Sequence, residues 1–136
     1  MAPFGKNSEH GTMNWSTSWN GSKKPTKQRN YVRNAPLHIR SMLLGSHLSK
    51  DLRLKLKTRS LRARKGDKVK VTRGQHKGKT GIIDLVNTKR MKVFITGVEF
   101  IKKDGSKAMY PIHTSNLIIL ELHADKRRTD QGAEKK

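Results

Sequence analysis

The stretch KGDKVKVTRGQHKGKTGII, residues 65–83, decides the fold. Val69 and Val71 alternate with Lys68, Lys70 and Thr72, which is the period-two pattern of a strand with one packed face and one cationic face. Gly74, Gly78 and Gly81 follow, and a second apolar run begins at Ile82. That order predicts strand, tight loop, strand.

The loop ends in Gly78-Lys79-Thr80, as a nucleotide-binding P-loop does, but the spacing refutes that reading. A P-loop places four residues between its glycines and then starts a helix, whereas three separate Gly74 from Gly78 and Gly81-Ile82-Ile83 opens a strand. Without the helix, a phosphate loses both the dipole and the amide cradle. No apolar strand ends in an Asp that could hold magnesium. What remains is an inter-strand loop whose glycines allow positive φ or close backbone approach, with Arg73, His76, Lys77 and Lys79 gathered at one end of the sheet.

Further short strands are predicted over residues 80–86, 91–95, 98–102, 108–112 and 116–122, separated by turn residues. Asn87 to Arg90, and Lys103 to Ser106 with Asp104-Gly105 at its centre, read as hairpin connections. So many short strands in so few residues predict a mainly β fold, a small closed or nearly closed barrel, because closure removes exposed edges.

Upstream, two short helices are expected. Asn34 can cap a segment with Pro36 in its first turn, apolar Leu37, Met42 and Leu44, and Gly45 as its stop. Ser49 can cap a second over Lys50 to Lys57, with Asp51 suiting the dipole and Leu52 and Leu56 on one face. The alternation Leu52, Leu54, Leu56 also fits a strand; the cap favours the helix. Residues 1–22 are rich in Gly, Ser, Thr and Asn and are expected to be a flexible leader when free. Within it, Trp15 and Trp19 are either incidental, or groups for stacking on bases or inserting into a partner groove.

The 136 residues include 31 Lys and Arg against 10 Asp and Glu, a net charge of +21. With a pI near 10.8, the chain calls for a polyanionic partner. The excess is concentrated: residues 23–66 hold fourteen basic side chains against Asp51 alone. Such a segment repels itself without a counter-charge, and RNA phosphate supplies one.

The absence of cysteine excludes disulfide scaffolds, thiolate metal sites and Cys nucleophiles. The six histidines form no i, i+4 pair, so no metal site is expected. No Ser, His and Asp set can be nominated, so no catalytic residue, no cofactor and no small-molecule substrate are expected. The longest apolar run, Leu117 to Leu120, is too short to span a membrane.

Lys65 to Val71, Arg73-Gly74 and Lys77 to Ile83 closely resemble the KOW motif, found in ribosomal and transcription-elongation proteins. The flanks narrow the resemblance. Lys27-Gln28-Arg29, Asn34 to His38, Leu48 to Leu52, Arg59-Ser60-Leu61, Tyr110 to His113 and Ser115-Asn116 resemble the large-ribosomal-subunit protein twenty-four family, numbered twenty-six in eukaryotes. Tyr110 to His113 and Ile118 to Leu122 look more like its archaeal form. The resemblance runs from about Ser22 to Arg128; Thr114 stands where the family usually has proline, and residues 1–22 have no counterpart.

The resemblance implies an SH3-like KOW barrel with a basic N-terminal extension. It also implies binding to large-subunit rRNA near the nascent-chain exit of cytoplasmic ribosomes, and a role early in subunit assembly. Neighbouring ribosomal proteins and exit-site factors would be further partners. The expected layout is a leader over 1–22, a basic RNA-binding extension over 23–63, the barrel over 64–122 and a charged tail over 123–136. Expected RNA contacts in the extension are Lys27, Arg29, Arg33, His38 and Arg40, then Lys50, Arg53, Arg59, Arg62 and Arg64. In the barrel they are Arg73, His76, Lys77 and Lys79 of the glycine loop and Lys89 and Arg90 of a hairpin. His113, Ser115 and Asn116 are either ribose and phosphate contacts or a turn in which Ser115 or Asn116 bonds its own backbone.

Two other readings compete with this one. A KOW regulator that binds a protein such as RNA polymerase would need an α/β domain before the barrel, and residues 1–66 are too basic and too poor in strand signals to supply it. A general DNA-coating protein would have no use for such specific flanks.

Overall fold

The structure is a computed structural model that describes residues 15–125 and Arg128. The readings made for residues 1–14 and for most of the tail lie outside the described residues. Two compact units divide between Arg40 and Ser41.

In the first unit a 3-10 turn, Thr17–Gly21, precedes helix α1, Pro25–Asn34. Composition gave no reason to expect order at Trp15 to Ser22, yet specific bonds provide it. The Trp15 ring lies 5.2 Å from that of Tyr31, and its Nε1–H donates to the Tyr31 carbonyl at 2.9 Å. The Gln28 side-chain amide donates to the carbonyls of Asn20 at 2.6 Å and Ser22 at 2.8 Å. Trp15 is thus spent on holding the turn against α1, which starts with Pro25 and has no side-chain cap at Lys24. Helix α2, Leu37–Met42, begins here; Asn34, expected as its cap, instead closes α1.

The second unit is mainly β. Its strands are β1 (Gly45–Leu48), β2 (Ser60–Arg62), β3 (Lys68–Val71), β4 (Thr80–Asn87) and β5 (Lys92–Ile95). After them come β6 (Glu99–Ile101), β7 (Lys107–Met109), β8 (Ile112–His113) and β9 (Leu117–Glu121). Seven form one sheet in the order β2-β1-β9-β3-β4-β5-β8, while β6 and β7 make a separate hairpin. Leu48, Val69, Val71, Ile83, Val93, Ile95, Ile112, Leu117 and Ile119, drawn from strands right across that sheet, share one buried cluster. A sheet whose distant strands share one core is curled, which is consistent with the SH3-like barrel; burying each such side chain stabilises by about 1.5–3 kcal/mol.

The alternation read in β3 is borne out. Val69 and Val71 are fully buried, and Lys68 and Lys70 face solvent. Ahead of it, Asp67 is buried with its carboxylate accepting from the amides of Arg64 at 2.9 Å and His123 at 3.0 Å. Helix α3, Lys50–Leu56, forms as its cap predicts. Ser49 Oγ accepts from the Leu52 amide, and Lys57 ends the helix in the left-handed region at φ 52°. Leu52 and Leu56 pack on the core, whereas Leu54 is 79% exposed, which settles helix over strand.

The sequence reading missed β1 and β2. Gly45, expected as a helix stop, opens β1, which pairs parallel with β9 (His47 opposite Ile118) and antiparallel with β2 (Ser46 opposite Leu61). The sheet therefore extends into the segment assigned to the basic extension.

Candidate nucleic-acid interface

The glycine loop is tied at its base by β3. The Val71 amide donates to the Lys79 carbonyl at 2.9 Å, and the Gly78 amide to the Val71 carbonyl at 2.8 Å. Gly74 and Gly78 have φ of 91° and 89°, where L side chains are strained. Gly81 differs: its backbone is not in that region, but a Cβ there would lie 2.6 Å from Ile95 Cγ2 and overlap the Thr96 carbonyl oxygen. The loop thus needs glycine at Gly78 for its turn, and β4 needs it at Gly81 for strand approach.

Arg73, Lys77 and Lys79 project from this loop, exposed and without a carboxylate partner among the described residues. His76 does not join them. Its side chain is buried, with the ring 4.9 Å from that of Tyr110 in an edge arrangement. Histidine in a lysine-rich loop reads as a surface contact; here a tyrosine far along the chain covers it.

Thr72 links the loop to a second element, donating from its amide and hydroxyl to the Asn116 carbonyl at 2.8 and 2.9 Å. Asn116 ends the 3-10 turn Thr114–Asn116 between β8 and β9. His113 caps that turn: its Nδ1 accepts from the Ser115 amide at 3.2 Å and lies 2.9 Å from Ser115 Oγ. The sequence suggested a turn in which Ser115 or Asn116 bonds its own backbone; in the structure the acceptor is instead the His113 ring. Because an amide can only donate, Nδ1 carries no proton in this arrangement and Nε2 carries it. Burial, and secondarily the charge of Lys92, holds the His113 pKa below its ordinary value of 6.5.

A cleft of about 170 Å³ lies between loop and turn. Arg73, His76, His113 and Asn116, all anticipated from sequence, line it together with Lys92 and Tyr110. Lys92 went unrecognised because its place depends on pairing opposite His113 across β5 and β8. Tyr110 stood in a quoted motif without an assigned role.

The other expected contacts are distributed elsewhere. Lys27, Arg29 and Arg33 lie on α1, and His38 and Arg40 on α2. Arg40 Nε donates to the Ala35 carbonyl at 2.8 Å. Lys50 and Arg53 are on α3, where Arg53 Nε donates to the Leu48 carbonyl at 2.9 Å. Arg59 and Arg62 are exposed around β2, and Arg64 pairs with Asp125. Lys89 and Arg90 occupy the β4–β5 turn, whose Asn87 Oδ1 accepts from the Arg90 amide at 2.9 Å. None of these lines the cleft.

Such an arrangement offers exposed cations on short rigid elements, the donor set that meets phosphate oxygens. Among the described residues, no group of three or more His, Cys, Asp or Glu is placed to hold a metal ion, and no helix is long and apolar enough to cross a membrane.

Comparison with known proteins identifies the family of the chain. The chain is 41% identical over 115 residues to large ribosomal subunit protein uL24 of Methanosphaera stadtmanae, covering 85% of this chain and 98% of that one. It is 43% identical over 110 residues to large ribosomal subunit protein uL24 of Methanospirillum hungatei JF-1, covering 81% and 92%. Residues 22–135 match the family model that describes eukaryotic ribosomal protein L26 and its archaeal counterpart, number twenty-four, and the chain belongs to that family.

Proposed function

We propose that the chain is a structural, non-catalytic component of the large ribosomal subunit that binds large-subunit rRNA. The observation that carries this is the glycine loop, which displays Arg73, Lys77 and Lys79 without carboxylate partners among the described residues, from a backbone tied at both ends. Cations fixed in this way meet phosphates at little ordering cost. The basic side chains of α1, α3 and β2 add electrostatic affinity. A position near the nascent-chain exit, alongside neighbouring ribosomal proteins and exit-site factors, and action early in subunit assembly extend the reading by family resemblance.

Sedimentation of tagged chain with large subunits in cell extract, followed by binding of purified chain to large-subunit rRNA over a salt series, tests it. Co-sedimentation and an affinity that falls steeply with salt are expected, since each neutralised phosphate releases counterions. Absence from the subunit fraction, or an affinity flat in salt, overturns it.

A further inference from the structure

We propose that the cleft between the glycine loop and the Thr114–Asn116 turn is a pocket for one unstacked nucleotide of the RNA. Its base would lie against Tyr110, its phosphate between Arg73 and Lys92, and an acceptor of base or ribose on His113 Nε2–H. The proposal rests on the RNA-binding reading and assigns it a specific place.

Several observations support it. Among the described residues the lining contains the cations Arg73 and Lys92, with His76 and His113, and no carboxylate, which makes it electropositive. Neither Arg73 nor Lys92 has an ion-pair partner among the described residues.

Tyr110 is 36% exposed, yet edge contacts with His76 at 4.9 Å and Phe100 at 6.2 Å hold its ring. A fixed, partly exposed aromatic ring beside unpaired cations suits base stacking, which is sequence-tolerant and strong.

The Ser115 amide fixes the tautomer of His113. The histidine therefore presents a neutral N–H donor rather than a third positive charge, which suits a base or ribose acceptor better than a second phosphate. His76, nine-tenths buried, lines the same cleft with an Nε2 that has no hydrogen-bond partner among the described residues, so the polar wall is incomplete without an occupant.

The size selects the ligand. A cleft of about 170 Å³ suits a single flat ring and is too small for a duplex edge or a folded partner. The deep groove of A-form RNA hides its base edges, so a protein that reads RNA sequence takes splayed bases one at a time.

The test is a titration of the full-length chain with the four nucleoside 5′-monophosphates and, separately, with inorganic phosphate, following the ring signals of His113 and Tyr110 by NMR. At least one nucleotide is expected to shift both rings saturably and to bind about tenfold or more tighter than phosphate, the usual contribution of one stacked base. Tyr110→Ala should abolish that advantage and leave phosphate binding unchanged, with far-UV circular dichroism showing that the variant keeps its fold. Phosphate binding as tightly as every nucleotide, or rings that do not move, overturns the proposal. Large-subunit rRNA binding by the same preparations separates the two readings: rRNA bound without a nucleotide response removes the pocket alone, whereas failure to bind rRNA removes the RNA-binding reading itself.

Discussion

Asp67 and Arg128, sixty-one positions apart, form a two-pronged ion pair in the interior, with Nη1 to Oδ1 at 2.6 Å and Nη2 to Oδ2 at 2.8 Å. Asp67 is fully buried and Arg128 is 5% exposed. Arg128 Nη2 also donates to the Arg62 carbonyl at 2.5 Å. One carboxylate thereby joins the start of β3, the end of β2 and the segment after β9. Replacing Asp67 by Ala leaves a guanidinium buried without its counter-charge, and breaking such a pair from one side costs about 3–5 kcal/mol. Urea unfolding of Asp67→Ala should show that loss. Arg128→Met should cost less, because Asp67 keeps the amides of Arg64 and His123 as donors.

Gly78 and Gly81 should fail differently. Gly78 has open space around its absent side chain but a φ of 89°, so Gly78→Ala pays the left-handed strain of about 1–2 kcal/mol, and Gly78→Asn recovers part of it. Gly81 has an ordinary φ and no space, so Gly81→Ala must push β4 away from Ile95 and Thr96, an overpacking cost of about 1–3 kcal/mol. Gly81→Asn should be worse still. Unfolding midpoints of the four variants separate strain from crowding by the sign of the Ala-to-Asn difference.

Legibility in the sequence follows the range of the interactions. The alternation of Val69 and Val71, the Ser49 cap and the hairpin turns are local, and the corresponding elements appear with bounds close to those expected. Strand β1, with the sequence GSHL, has no β-branched residue and exists because β9, some seventy positions later, pairs with it. Helix α1 has no buried residue and no side-chain cap, so neither periodicity nor capping announces it; its support comes from Trp15 and Gln28. The cleft was legible in part. Arg73, His113 and Asn116 stand in recognisable motifs, but the burial of His76 and the arrival of Lys92 depend on contacts made only in the folded chain.

His113 should make stability fall on acidification. Its pKa is depressed in the fold, by burial first and by Lys92 second, so the unfolded chain takes up a proton more readily. Its contribution is fully present above the unfolded value of 6.5. It diminishes as pH falls from 6.5 towards the folded value, then levels off once both states are protonated. Arg73, Lys92 and His76 line the same cleft, so among the described residues no neighbouring carboxylate there offsets the new charge. Protonation also removes the acceptor for the Ser115 amide. Urea unfolding measured between pH 7 and pH 5 should therefore show a shallower decline for His113→Gln than for the unaltered chain. Equal slopes would mean that other groups govern the acid response.

The first unit and the glycine loop should contribute separable quantities to RNA binding. Lys27, Arg29 and Arg33 lie on α1, exposed and without carboxylate partners among the described residues, so each can neutralise a phosphate. Arg40, Arg53 and Arg64 are poorer targets because each also bonds to the fold itself. Changing Lys27, Arg29 and Arg33 to Gln keeps good helix formers in α1 and should flatten the slope of log affinity against log salt by about 2–3. It should leave the ratio of cognate to random RNA affinity nearly unchanged, since α1 charges add attraction without fixing a pattern. Gly78→Val should do the reverse. Every cation remains, so the slope holds, but the distorted loop no longer keeps Arg73, Lys77 and Lys79 in one arrangement, and the cognate-to-random ratio should fall. Filter binding over a salt series with both RNAs measures slope and ratio together. An α1 variant that keeps its slope, or a Gly78→Val variant that keeps its ratio, would show that affinity and placement are not divided between these two elements.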